Sequence, residues 1–232
     1  MTEILADYLD IYRQYPADSF LTKTERKERY ERLTIWEQQF YKAMPTLKEV
    51  FEFIEQNNHL KYQKPFFVKV LFPRIKDDIE NGNIDGIRFL FDYQETYSYT
   101  NNHSRIDFIY IFCYEYPKYE TIDLANMLLT VEPNHEKAAA HKYRLLHLWL
   151  AFSIHEMPWG ILDGKNLDGT GSMTQLYNWL NEFTEISEKL GKDDKKLIEE
   201  CTILYPAWEQ YLDCIGDYNG FKDYLEKQGI AY

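Results

Sequence analysis

A mainly α-helical protein, built from stacked antiparallel helical hairpins in a solenoid-like or irregular bundle, is what three features of the sequence predict. Apolar residues recur at three- and four-residue steps along most of the 232 residues. Thr22 with Glu25, and Thr46 with Glu49, have the spacing of capping boxes. Only 10 glycines and 8 prolines are present, too few for the closely spaced turns of a β-sandwich or barrel. Hydrophobic residues at 45% and charged residues at 28% describe a folded chain. The length suits a single helical domain over 1–232, with one candidate subdivision near 157–172.

Taken in order, Leu5, Tyr8, Leu9 and Tyr12 form an amphipathic stripe that stops before Pro16. The first capping box opens a second helix that runs toward Met44. Its charge run, Lys23 to Arg32, sets Glu25–Arg29 and Glu28–Arg32 at i,i+4, a pattern that supports a solvated face. The second box follows Pro45 and precedes the stripe Leu47, Val50, Phe51 and Ile54. Phe66–Phe72 and Ile106–Tyr116 are short, apolar and aromatic, and suit buried helices or a minor β pairing between 66–72 and 106–116. Pro73 fits the first turn of a new helix, and Asn81-Gly82-Asn83 ends one helix and caps the next.

The C-terminal half is more regular. Asn134 to Glu156 reads as one long helix, apolar on nearly every face from Leu145 to Phe152 and therefore buried and central. Pro158 stops it. A glycine-rich loop, 159–172, leads to the stripe Met173, Leu176, Leu180, Phe183, Ser187 and Leu190. Gly191 suits the position just past that helix, and Asp193 the N-cap of the next. Leu197, Cys201, Leu204, Trp208, Tyr211 and Ile215 continue the pattern, with a kink expected at Pro206. A last helix covers Phe221 to Gln228.

Two stretches resemble helical-repeat families. Glu80-Asn-Gly-Asn-Ile-Asp-Gly-Ile-Arg-Phe-Leu-Phe91 resembles the turn and second helix of an ankyrin repeat. Leu128-Leu-Thr-Val-Glu-Pro-Asn-His-Glu-Lys-Ala138 is similar to the junction between two tetratricopeptide repeats, with Pro133 as the junction proline. Each likeness covers about a dozen residues and does not recur at the ~33–34-residue period of an array. The resemblance implies stacked helical hairpins and carries over no binding residue.

Chemical motifs are weaker. His155-Glu156 is half of a zincin motif, but Trp159 stands where the second histidine belongs. His135, His141, His147 and His155 share one helix at gaps of six, six and eight, so no two successive ones face together. His147 is expected inside the core. Gly160, Gly164 and Lys165 miss P-loop spacing by one residue, and Asp163, Asn166 and Asp168 fit no EF-hand register. Cys113, Cys201 and Cys214 are three separate cysteines at core-like positions, which suggests neither a disulfide framework nor a zinc ribbon. No catalytic, cofactor-binding or metal-ligating residue is assigned, and no cofactor is expected.

The charge and the tyrosines point to a partner. At −12 the chain is poorly suited to nucleic acid or to anionic lipid, whose phosphates require Lys and Arg. No apolar run approaches the ~20 residues needed to span a bilayer. The acidic N-terminus does not read as a signal peptide, so a cytoplasmic location is expected. Residues 131–232 carry −7 of the charge. Twenty tyrosines are an excess, and the set from Tyr93 to Tyr99 lies in a polar segment. The expected function is a non-catalytic module that binds a basic protein, such as an immunity protein neutralising a nuclease-type toxin. Its expected contact residues are Tyr93, Glu95, Tyr97 and Tyr99 with Asp193, Asp194, Glu199 and Glu200. Two alternatives remain open: self-association through exposed tyrosines, and an enzyme, with or without a metal, whose pocket is lined by His141, His147, His155 and acids.

Overall fold

The computed structural model describes the chain except residues 17–19, 61, 94–98, 102–103, 107, 158–171 and 232. Its elements are almost all α-helices, and they cluster into two units, Met1–Pro133 and Asn134–Tyr232.

The first unit begins with α1 (Glu3–Gln14), α2 (Lys23–Gln38) and α3 (Leu47–Gln56). Both capping boxes form as the spacing predicts. Thr22 Oγ1 accepts from the Glu25 amide at 3.2 Å while the Glu25 carboxylate accepts from the Thr22 amide at 2.8 Å; Thr46 and Glu49 repeat the exchange. These bonds hold both glutamates below the usual carboxylate range. Helices α1 and α2 run antiparallel, with Trp36 Nε1 donating to the Ile4 carbonyl at one end, the Tyr15 hydroxyl donating to Glu28 at the other, and Arg32 reaching over the Tyr15 ring. Helix α2 ends at Gln38 and does not reach Met44. It has no basic residue in its last turn. Instead Lys69 Nζ, from a distant helix, donates to the Glu37 and Gln39 carbonyls and satisfies that end.

The aromatic run 66–72 is helical, so the β pairing of 66–72 with 106–116 does not form. Helix α4 (Lys64–Phe66) passes through one π-helical turn, Phe67–Leu71, into α5 (Phe72–Glu80). Pro73 sits in the first turn of α5. In a regular α-helix its ring would clash with the Lys69 carbonyl; the wider turn before it relieves that contact. Among the described residues of the second run only Ile106 is in a strand, and Phe108–Glu115 forms α7. The strand pairing is local: β1 (Tyr99–Asn101) lies antiparallel to β2 (Ser104–Ile106), with Tyr99 opposite Ile106. Helical winding lets both runs bury rings in several directions. Phe108 meets Phe67 at 4.8 Å and Phe72 at 5.1 Å, and Phe112 meets Phe72 at 5.4 Å.

Helix α5 ends in a left-handed turn at Gly82 (φ 78°), where the Gly82 and Asn83 amides donate to the Ile79 and Asp78 carbonyls. Asn83 ends α5 but does not cap α6 (Asp85–Asp92). That cap is supplied from α5, whose Asp78 Oδ2 accepts from the Gly86 amide at 2.9 Å. Gly86 allows the close approach: a Cβ there would lie 3.0 Å from Ile75 Cγ2 and 3.1 Å from Ile75 Cα. Helix α8 (Thr121–Val131) packs on α6 and α7 and completes the unit.

The second unit comprises α9 (Glu136–Glu156), α10 (Ser172–Lys189), α11 (Lys195–Asp213) and α12 (Phe221–Gln228). His135 caps α9, its Nδ1 accepting from the Ala138 amide at 3.2 Å. Helix α9 is not buried on every side. Helices α10 and α11 cover Leu146, Leu150 and Ser153, whereas Leu148 and Phe152 are 60% and 56% exposed and His147 faces outward. Two neighbouring helices enclose only part of a helix surface. Gly191 (φ 63°) terminates α10 as expected, but the N-cap of α11 is Asp194 and not Asp193. Helix α11 runs through Pro206. The core gathers Phe183, Trp208, Tyr205, Tyr211 and Phe221, with Trp208 and Phe221 edge to face at 4.8 Å. No described helix in either unit is long and apolar enough to cross a membrane.

Candidate functional site

The first unit carries a cavity of about 430 Å³ between α3 and α6, with Asp78 of α5 at its edge. Its walls are two helix faces: Leu47, Lys48, Phe51, Ile54 and Glu55 on α3, and Asp85, Arg88, Phe89, Asp92 and Tyr93 on α6 and its C-cap. Three rings form the floor as a continuous stack. Phe51 lies on Phe89 with centroids 4.5 Å apart and planes 11° apart, and Phe89 lies on Tyr93 at 4.3 Å and 22°. The apolar stripe of α3 predicts its packing face, but Phe51 at the stripe's edge is only half-buried and opens into this groove.

Four carboxylates and two cations surround the rings. Arg88 is already neutralised. Its guanidinium bonds Glu132 of the segment after α8 and, at 2.6 Å, Asp85; those bonds, Glu132 first, push its pKa upward. Asp78 is committed to the Gly86 amide. Lys48 is nearly all in solvent and lies 3.9 Å from Glu52. The groove has carboxylates on both rims, Glu55 exposed on one wall and Asp92 half-buried on the other. An aromatic floor with an anionic rim suits a cation: a ring face attracts a Lys or Arg head by about 0.5–2 kcal/mol, more as water is excluded.

The sequence-predicted contact residues are divided between the units. Tyr93 lies in the groove and is the C-cap of α6. Glu95 and Tyr97 lie outside the described residues, and Tyr99 is placed by its backbone as the first residue of β1. In the second unit Asp193 and Glu199 are exposed, and Glu200 is 3.6 Å from Lys196. Asp194 is engaged internally: its carboxylate accepts from Tyr143 at 3.1 Å and Ser187 at 2.7 Å, fixing the α10–α11 turn to α9. Sequence reasoning missed Phe51, Glu55, Phe89 and Asp92. Among the described residues, no three His, Cys, Asp or Glu side chains come together as metal ligands. His141 is buried against Arg144, His147 is exposed beside Phe183, and His155 is paired with Glu156.

Much of the tyrosine excess is structural. Tyr15, Tyr41, Tyr143 and Tyr177 each donate to a carboxylate, of Glu28, Asp7, Asp194 and Glu209 respectively. Burial first, then the hydrogen bond to the carboxylate, and then its negative charge raise all four phenols, Tyr177 to about 12. A phenol whose folded pKa exceeds its unfolded value stabilises the fold fully below about pH 10, and that contribution fades as pH rises through the folded value. Between pH 10 and 12 the phenolate absorbance should therefore lag that of the urea-unfolded chain, and the urea midpoint should fall. Coincident titration curves for folded and unfolded protein would contradict these pairings.

No family model, curated protein or solved structure matches this chain. The two repeat-like stretches lie at connections between helices. Residues 80–91 span the α5–α6 turn, and 128–138 span the α8–α9 junction.

Proposed function

We propose that this is a non-catalytic binding protein that engages a basic partner protein through the α3–α6 groove. The observation that carries it is the Phe51–Phe89–Tyr93 ring stack beneath a rim whose one buried-side cation, Arg88, is already matched by two carboxylates. A partner Lys or Arg would lie over the rings, with Glu55 and Asp92 on either side of its head. Exposed ion pairs alone contribute roughly 0.2–1 kcal/mol, so the rings and the exclusion of water supply most of the affinity. The carboxylates supply the choice of charge and a fast encounter. An immunity role in the cytoplasm, blocking a nuclease-type toxin with carboxylates in the place of phosphates, follows the same chemistry.

An oligo-arginine peptide titrated calorimetrically into the purified protein tests this. Binding should weaken as salt rises and fall about tenfold, ~1.4 kcal/mol, in the Glu55→Gln/Asp92→Asn variant. An oligo-glutamate peptide should not bind. Salt-independent association, or an affinity unchanged by the double substitution, would overturn the proposal.

A further inference from the structure

The α1–α2 hairpin carries a second groove, of about 300 Å³, far from the first in its chemistry. Its floor is Ile11, Ile35 and the edge of Trp36, and its rims are Asp7 and Asp10 on α1 and Arg32 on α2. The lining residues fall at i, i+3, i+4 and i+7 on both sides: Asp7, Asp10, Ile11 and Gln14 on α1, and Arg32, Ile35, Trp36 and Gln39 on α2 and its C-cap. That spacing is the seam by which a helix receives another helix. Ile35 is 65% exposed in the middle of the seam, and Phe40, just past its end, is 91% exposed.

We infer that a second copy of this chain covers the groove, in an antiparallel four-helix arrangement. The charge pattern selects that occupant. The hairpin is antiparallel, so Asp10 and Arg32 lie at similar heights on opposite rims. A twofold axis along the groove sets α1 of one copy antiparallel on α2 of the other at the same height. Each acidic rim then meets the other copy's Arg32, and Ile35 lies about one turn along the seam from the other copy's Ile11, so the two alternate in filling it. The surface is complementary to itself, the condition for an isologous dimer. A helix of different sequence would need its own matching cation and anion on the correct sides. The same exposed Ile35 that would be a liability on a monomer becomes the centre of the seam.

Sedimentation equilibrium of the full chain over micromolar to submillimolar concentration tests the inference. The wild type should dimerise, and Ile35→Asp should be monomeric throughout while keeping the wild-type helical spectrum, and also the wild-type melting transition at concentrations where the wild type is itself monomeric, because Ile35 is 65% exposed in the single chain. Arg32→Glu should weaken the dimer about tenfold or more. The double variant Asp10→Arg/Arg32→Glu restores opposite charges across the axis and should recover most of that loss. A wild type that stays monomeric at the highest concentration overturns the inference, as does a dimer indifferent to Ile35→Asp. Failure of the double variant to recover affinity overturns the proposed twofold arrangement. The oligo-arginine titration of the other groove is read separately, since none of these residues lines it.

Discussion

Phe72→Ala should lower the stability of the first unit by about 3–5 kcal/mol, a large share of the ~5–15 kcal/mol that holds a typical domain folded. Phe72 is fully buried at the start of α5 and touches Phe67, Phe108 and Phe112, the last two from α7. Its removal deletes the ring's burial and leaves a space that three other rings, themselves fixed by neighbours, cannot all move to fill. Phe72→Leu keeps most of the volume and should cost no more than about 1.5 kcal/mol. Urea unfolding read by amide exchange at Val70 and Phe108 measures both. Equal losses in the two variants would show that contact area at this position, and not the ring cluster, is being measured. The exposed faces of α7 provide the control: Tyr114 is 78% exposed, so Tyr114→Ala should change little.

The contrast between Phe72 and Tyr114 also shows why the sequence was readable in some places and not others. Helix ends with local caps were legible, because Thr22 with Glu25 and Gly191 past Leu190 contain their own partners within a turn. The end of α2 was not, because the cation that satisfies it is Lys69, placed there by the fold. Six of the seven residues from Phe66 to Phe72 are apolar and leave no period to read, and it is the buried surroundings of Phe66, Phe67, Val70, Leu71 and Phe72 that make the segment helical. The same limit hid the groove. Spacing identifies Phe51 and Phe89 as members of helix faces, but not how much of each face a neighbour covers. Tyr93 was legible because a polar segment follows it. Asp194 looked like a surface acid, since nothing local reveals that Tyr143 and Ser187 will claim its oxygens.

Gly86→Val should destabilise the first unit by about 2–3 kcal/mol and weaken its hold on the oligo-arginine peptide. A Cβ at this position meets Ile75 Cγ2 at 3.0 Å and Ile75 Cα at 3.1 Å; the first can rotate away, but the second is backbone. Asp78 cannot yield freely either, because its Oδ2, 3.3 Å from the added carbon, holds the Gly86 amide. Relief therefore requires α6 to move away from α5 and carry Phe89 with it, opening the stack on Phe51. Gly86→Ala separates this clash from helix propensity. Alanine gains about 1 kcal/mol over glycine inside a helix, which offsets part of the same close contact, so its net cost should be smaller than that of valine. Thermal melts give the stability order and calorimetry the affinity order. If the valine variant matches the wild type in melting, Gly86 does not set the α5–α6 distance. If it melts earlier yet binds the peptide as tightly, the ring stack does not depend on that distance, and the floor of the groove is held by α3 alone.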